Sequence, residues 1–177
     1  MGHEIQRRLD NGLGLTAEQN LVLEYSGLAN AKRLLGFGRK VTTVTSAQLL
    51  ALNATPQSVV PAQGSGVAII VERVAIYKPA GTAYAGIAAG EDLVLKYTNG
   101  SGAQVSSVIE TTGFLDQTTA QVRYAFAPST TGSTAGDITP VANAAVVLHL
   151  LVGEITTGDS PIYVEVLYDI MRTVFTS

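Results

Sequence analysis

The chain has 177 residues, enough for one domain with an arm, and carries 11 basic against 14 acidic side chains. A net charge of −3 argues against direct nucleic-acid binding, which needs a concentrated basic surface, and the absence of cysteine rules out disulfides and thiolate metal sites. Hydrophobic residues make up 46% and charged residues 14%, so more apolar area is expected than a monomer's charged surface accommodates, and a subunit interface is its natural place.

Residues 1–40 differ in kind from the rest. They hold six basic and four acidic residues, whereas 41–177 hold five and ten. The boundary is therefore placed near Lys40, with an N-terminal arm before it. Thr16-Ala-Glu-Gln19 has the spacing of a capping box, and Leu21, Tyr25 and Leu28 follow at helical spacing. Gly36 supplies a stop after Lys32 and Arg33, cations that favour a helix C-terminus. An isolated helix of this length is marginal in water, so the arm is expected to order by docking. Gly-rich pieces at Leu13-Gly14 and Gly36–Lys40 match no phosphate-binding pattern and read as hinges. No apolar run reaches the ~18–20 residues of a membrane span, and the N-terminus has no secretory apolar segment.

From Val41 the pattern is β. Val41–Thr45 is β-rich, and Ser46–Leu52 predicts one helical turn capped by Ser46. Val59-Val60-Pro61 reads as a short edge strand. Val67, Ile69 and Val71 alternate, but the apolar phase moves to Val74 and Ile76 after Arg73, which predicts a bulge or a bend. Leu93, Leu95 and Tyr97 share a face, Asn99-Gly100-Ser101-Gly102 predicts a hairpin, and 103–112 is its return strand with Val105 and Ile109 inward. Residues 113–116 make a corner and Val122–Phe126 a further strand. Residues 128–140 form a long loop without periodicity.

Ala145–Met171 closes the chain. Val146–Val152 is apolar on both faces except at His149, as in a strand covered by a second sheet and by another subunit. Val146, Leu148, His149, Leu150 and Val152 are accordingly the candidate oligomer interface. Residues 162–170 alternate, with Ile162, Val164, Val166, Tyr168 and Ile170 on one face. Turn residues between the two runs predict one long hairpin. The whole reads as an all-β, jelly-roll-like antiparallel β-sandwich of about eight strands over 41–177, with a partly helical arm.

Candidate chemistry is sparse. His3 and His149 are isolated and make neither a metal site nor a triad. Glu91 and Asp92 are adjacent, so in a strand they face opposite ways. Asp137 and Asp159 lie in loops without an EF-hand pattern. No Gly-x-Ser-x-Gly elbow occurs. Tyr77, Tyr84, Tyr97, Tyr124, Tyr163 and Tyr168 have the makings of a sugar groove, though packing in core and sheet explains their spacing with fewer assumptions. No enzyme, cofactor or metal is expected.

Two stretches carry a resemblance: Tyr84–Tyr97 (with GIAAGEDLVLKY) followed by Val108–Asp116, and LHLLVGEITTGDSPIYVEVLYDI at 148–170. They resemble small β-sandwich virion proteins of tailed bacteriophages that decorate or cement the head, over residues 41–172. The resemblance implies a binding role without catalytic residues. It implies a homo-oligomer, a trimer in preference to a dimer, seated on the capsid exterior where major capsid protein subunits meet, after synthesis in the bacterial host cytoplasm. Several weak contacts on one oligomer add through effective concentration. The arm would bind the capsid through Arg7, Arg8, Leu21, Tyr25, Leu28, Arg33, Arg39 and Lys40. The other expectation kept open is a tail-associated or host-attachment module that binds glycan through the 128–140 loop or a tyrosine face.

Overall fold

The computed structural model describes residues 37–88, 90–128 and 138–173. Among the described residues the strands are β1 (Phe37–Val44), β2 (Gln57–Val60), β3 (Val67–Lys78), β4 (Leu93–Tyr97), β5 (Gln121–Phe126), β6 (Val146–Leu150) and β7 (Ile162–Arg172), with one short helix, α1 (Ser46–Leu50). They form two antiparallel sheets. Sheet A has the order β1-β7-β3-β5 and sheet B the order β2-β6-β4.

The expected eighth strand is present in ragged form. Residues 103–109 lie beside β4 with bridges at Lys96↔Gln104 and Leu93↔Ile109. Between them the Ser106 hydroxyl, not a backbone carbonyl, accepts the Leu95 N–H at 2.9 Å. A side chain thus fills a gap in the ladder, and the segment escapes regular strand geometry while the buried Leu95 N–H keeps a partner. With this segment counted, sheet B runs β2-β6-β4-(103–109), and the two sheets have jelly-roll order.

The bulge in β3 falls where the apolar phase predicts it. Val71 pairs with Tyr168 and Arg73 with Leu167, so Glu72 is the extra residue. Before it Ile69 and Val71 face the core; after it Val74 and Ile76 do. One inserted residue exchanges the two faces of a strand, and the sequence compensates by shifting its pattern. β5 covers only Arg73–Lys78 of β3. Beyond it, the Asn143 N–H bonds the Val67 carbonyl at 2.8 Å, and the Tyr97 hydroxyl from sheet B donates to the Ile69 carbonyl. The second bond ties the sheets together across the core.

That core is apolar from both sides. Ile69, Val74, Ile76, Ile162, Val164 and Val166 of sheet A meet Leu93, Leu95, Tyr97, Val146, Leu148 and Leu150 of sheet B. Full burial of each aliphatic side chain stabilises by roughly 1.5–3 kcal/mol relative to exposure. One cation is buried with them. Lys78 has no exposed surface, and its Nζ donates to the Gln117 carbonyl at 2.7 Å and the Pro79 carbonyl at 3.3 Å.

Two sequence expectations are corrected. The run 145–171 is not a hairpin: β6 lies between β2 and β4 in sheet B, β7 between β1 and β3 in sheet A, and residues 151–161 cross from one sheet to the other. Turn residues and two apolar runs are common to both arrangements, so local pattern does not separate them. The cap of α1 is Thr45, not Ser46. The Thr45 hydroxyl accepts from Gln48 N, and the Gln48 side chain accepts from Thr45 N at 2.9 Å, a reciprocal capping box. The strand that ends at Tyr97 begins at Leu93, and ahead of it Tyr84 packs in the core and donates to the Ser160 carbonyl.

Candidate functional site

Register places the outward residues of sheet A in rows. Thr43, Tyr163, Tyr77 and Val122 form one row. Val41, Glu165, Ala75 and Tyr124 form the next, and Arg39, Leu167, Arg73 and Phe126 the third. Ala75 ends at its Cβ and is ringed by long side chains, so the middle of this grid is a hollow. The result is an open groove of about 340 Å³.

Its walls are aromatic and ionic. The Tyr77 and Tyr163 rings stack with centroids 6.0 Å apart and planes 27° apart. The Arg73 guanidinium lies 5.6 Å from the centroid of the Tyr124 ring, a cation–π contact of ~0.5–1 kcal/mol at an exposed site. Glu165 takes Arg39 on Oε2 and Arg73 on Oε1, the latter at 3.2 Å. The Arg39 hydrogen bond is the main cause that holds the Glu165 carboxyl below its ordinary range, against the opposing effect of burial; the same pairing raises Arg39. Glu165 is therefore ionised at neutral pH, and the groove carries two cations against one anion.

The tyrosines divide into two groups. Tyr84 and Tyr97 are 2% and 1% exposed, and their hydroxyls are bonded to carbonyls. Burial pushes both up, Tyr84 to about 12 with help from the Asp159 charge. Tyr168 packs partly against the core. Tyr77, Tyr124 and Tyr163 are exposed instead, and among the described residues their hydroxyls make no hydrogen bond. Packing thus accounts for half of the six tyrosines and leaves three on one open face. The period-two spacing in the sequence was a signal for that face, but the cross-strand register that brings Tyr77 against Tyr163 is not written in any single strand.

The other sequence candidates are placed as follows. Arg7, Arg8, Leu21, Tyr25, Leu28 and Arg33 lie outside the described residues. Arg39 and Lys40, read as the end of the arm, are exposed residues of β1, which begins at Phe37. Of the candidate interface residues, Val146, Leu148 and Leu150 are fully buried in the chain's own core and His149 is 6% exposed; Val152 alone is open, at 52%. Burial of His149 is the main cause that lowers its pKa; the Lys96 charge acts in the same direction and the Leu52 carbonyl against both. Glu91 and Asp92 serve as local acceptors, for Ala88 N at 2.6 Å and Thr111 N at 3.1 Å. Asp159 accepts from the Thr82 hydroxyl and N–H, which lowers its pKa. Among the described residues no three His, Asp or Glu side chains converge as metal ligands would.

The fold and this face define a jelly-roll β-sandwich with an open aromatic groove on its four-stranded sheet. No protein family, curated protein or solved structure matches the chain.

Proposed function

We propose that the chain is a non-enzymatic structural protein of a phage virion, which decorates and cements the capsid from outside by binding where major capsid subunits meet. The observation that supports this most is the jelly-roll strand order, an architecture that capsid proteins use repeatedly. Fold alone does not fix function. The resemblance of 84–97, 108–116 and 148–170 to head-decorating proteins adds the class, and the low charge content adds the expectation of buried contacts with other subunits. In this reading the protein is a homo-oligomer, a trimer in preference to a dimer. Val152 is the interface candidate still open to a neighbour. The arm provides the capsid contact.

The test is co-sedimentation with mature shells that lack this protein, comparing the full chain with one starting at Phe37. Saturable binding by the full chain only is the expected result. Equal binding by both moves the contact from the arm to the sandwich. Failure of the full chain to bind any shell overturns the reading.

A further inference from the structure

We infer that the hollow over Ala75 is a binding site for a carboxylate-bearing saccharide. The inference goes beyond the capsid reading and does not depend on it. It rests on the juxtaposition of Tyr77, Tyr163, Tyr124, Arg39, Arg73 and Glu165 around one small residue.

Shape comes first. Outward positions of an exposed sheet that pack against a flat protein surface have no need of a cup. Here a single alanine lies inside a ring of long side chains, and about 340 Å³ stands open above it, within the ~300–1,000 Å³ usual for small-ligand pockets. A ligand the size of one or two rings fits the hollow, whereas a broad partner surface would bridge over it.

Chemistry comes second. A sugar ring has apolar C–H faces and a polar rim. The stacked Tyr77–Tyr163 pair and the Tyr124 ring offer flat apolar faces, with phenolic hydroxyls not engaged by other described residues. Tyrosine joins an apolar body to a polar tip, as such a ligand requires. Arg39 and Arg73 each make one side-chain hydrogen bond among the described residues, both to Glu165. A guanidinium has five N–H donors in a planar fork, so donors remain on both for ligand hydroxyls or a carboxylate.

Charge comes third. The charged residues that line the groove are Arg39, Arg73 and Glu165, a local balance of +1 in a chain of net −3. An acidic sugar neutralises this excess, and guanidinium recognises carboxylate in a two-point geometry. A neutral sugar gains the stacking but not the ion pair, and an anion without a ring gains the reverse.

The experiment titrates the full chain by calorimetry with an oligogalacturonate and, separately, with maltohexaose at equal length. Variants are Ala75→Leu, which fills the floor from an outward strand position, and Arg39→Ala, at an edge-strand residue whose side chain is 64% exposed. Oligogalacturonate is expected to bind, with affinity that falls as salt rises. Ala75→Leu should weaken it at least tenfold, with the unfolding transition retained. Arg39→Ala should reduce the preference for the acidic over the neutral probe. No binding of either probe at millimolar concentration overturns the proposal, as does binding that Ala75→Leu leaves intact. Equal affinity for both probes overturns the acidic class. If Ala75→Leu instead changes the sedimentation coefficient while saccharide has no effect, the face is a contact between copies and the proposal fails.

Discussion

His149 shows what a single residue does when its strand is more buried than its side chain prefers. It is the penultimate residue of β6, 6% exposed, with Nδ1 shielded and without a hydrogen-bond partner among the described residues. Its pKa lies below the ordinary 6.5, with burial the largest cause. The unfolded chain therefore takes up the proton first as pH falls. Stability is fully present above the unfolded value and declines as pH drops towards the lowered folded value. Urea unfolding at about pH 7.5 and about pH 5.5 should show a lower midpoint at the acid end, in the range where histidine titrates. Asp159 and Glu165 are held low and titrate beneath this window. His149→Leu should flatten the dependence; an unchanged slope in that variant would assign it to another group. The sequence shows this histidine as isolated in an apolar run, and that much is readable because burial of a strand follows from its composition. Lys78 is the opposite case. Nothing in Tyr77-Lys78-Pro79 marks its cation as buried, because the Gln117 carbonyl that receives it lies 39 positions away.

At the scale of the element, β3 is the case where local pattern and three-dimensional structure agree most closely. The phase change after Arg73 gives the bulge because each half of the strand has its own apolar face to bury, and only one extra residue reconciles them. Deleting Glu72 removes that reconciliation. Either Val67–Val71 or Arg73–Lys78 must then turn its core residues outward, so Ile69 and Val71, or Val74 and Ile76, become exposed. At ~1.5–3 kcal/mol for each side chain, the loss for two is roughly 3–6 kcal/mol, comparable to the ~5–15 kcal/mol that holds a typical domain together. The deletion should abolish or broaden the cooperative thermal transition, and a sharp transition within a few degrees of the parent would show that the bulge is dispensable. The ragged partner of β4 was legible in a different way. Val105 and Ile109 do face inward, at 0% and 2% exposure. Yet the ladder is broken by Ser106, whose hydroxyl bonds Leu95 N, and a serine in a strand-like stretch carries no sign that it will replace a backbone acceptor.

The whole molecule depends on pairings that no stretch announces alone. The sandwich class follows from many short alternating runs with turns between them, and jelly-roll order places consecutive strands in opposite sheets wherever the connection is not tight. The closing segment shows the limit. Residues 151–161 are long enough to cross the sandwich, and they do so because β7 completes sheet A between β1 and β3. That position makes β1 matter more than its charge suggests. The sequence boundary near Lys40 follows the change in charge, but pairing begins at Phe37 opposite Asp169, and Arg39 joins Glu165. A chain starting at Val41 therefore loses half of an edge strand, including the Phe37–Lys40 ladder, whereas one starting at Phe37 keeps it. At roughly 0.5–1.5 kcal/mol for each of about four ladder hydrogen bonds, the deficit is on the order of 2–6 kcal/mol. Chemical denaturation of the two truncated chains should give a lower midpoint for the shorter one with a similar slope. Identical midpoints would mean that Phe37–Lys40 belong energetically to the arm, and that the charge boundary is the structural one.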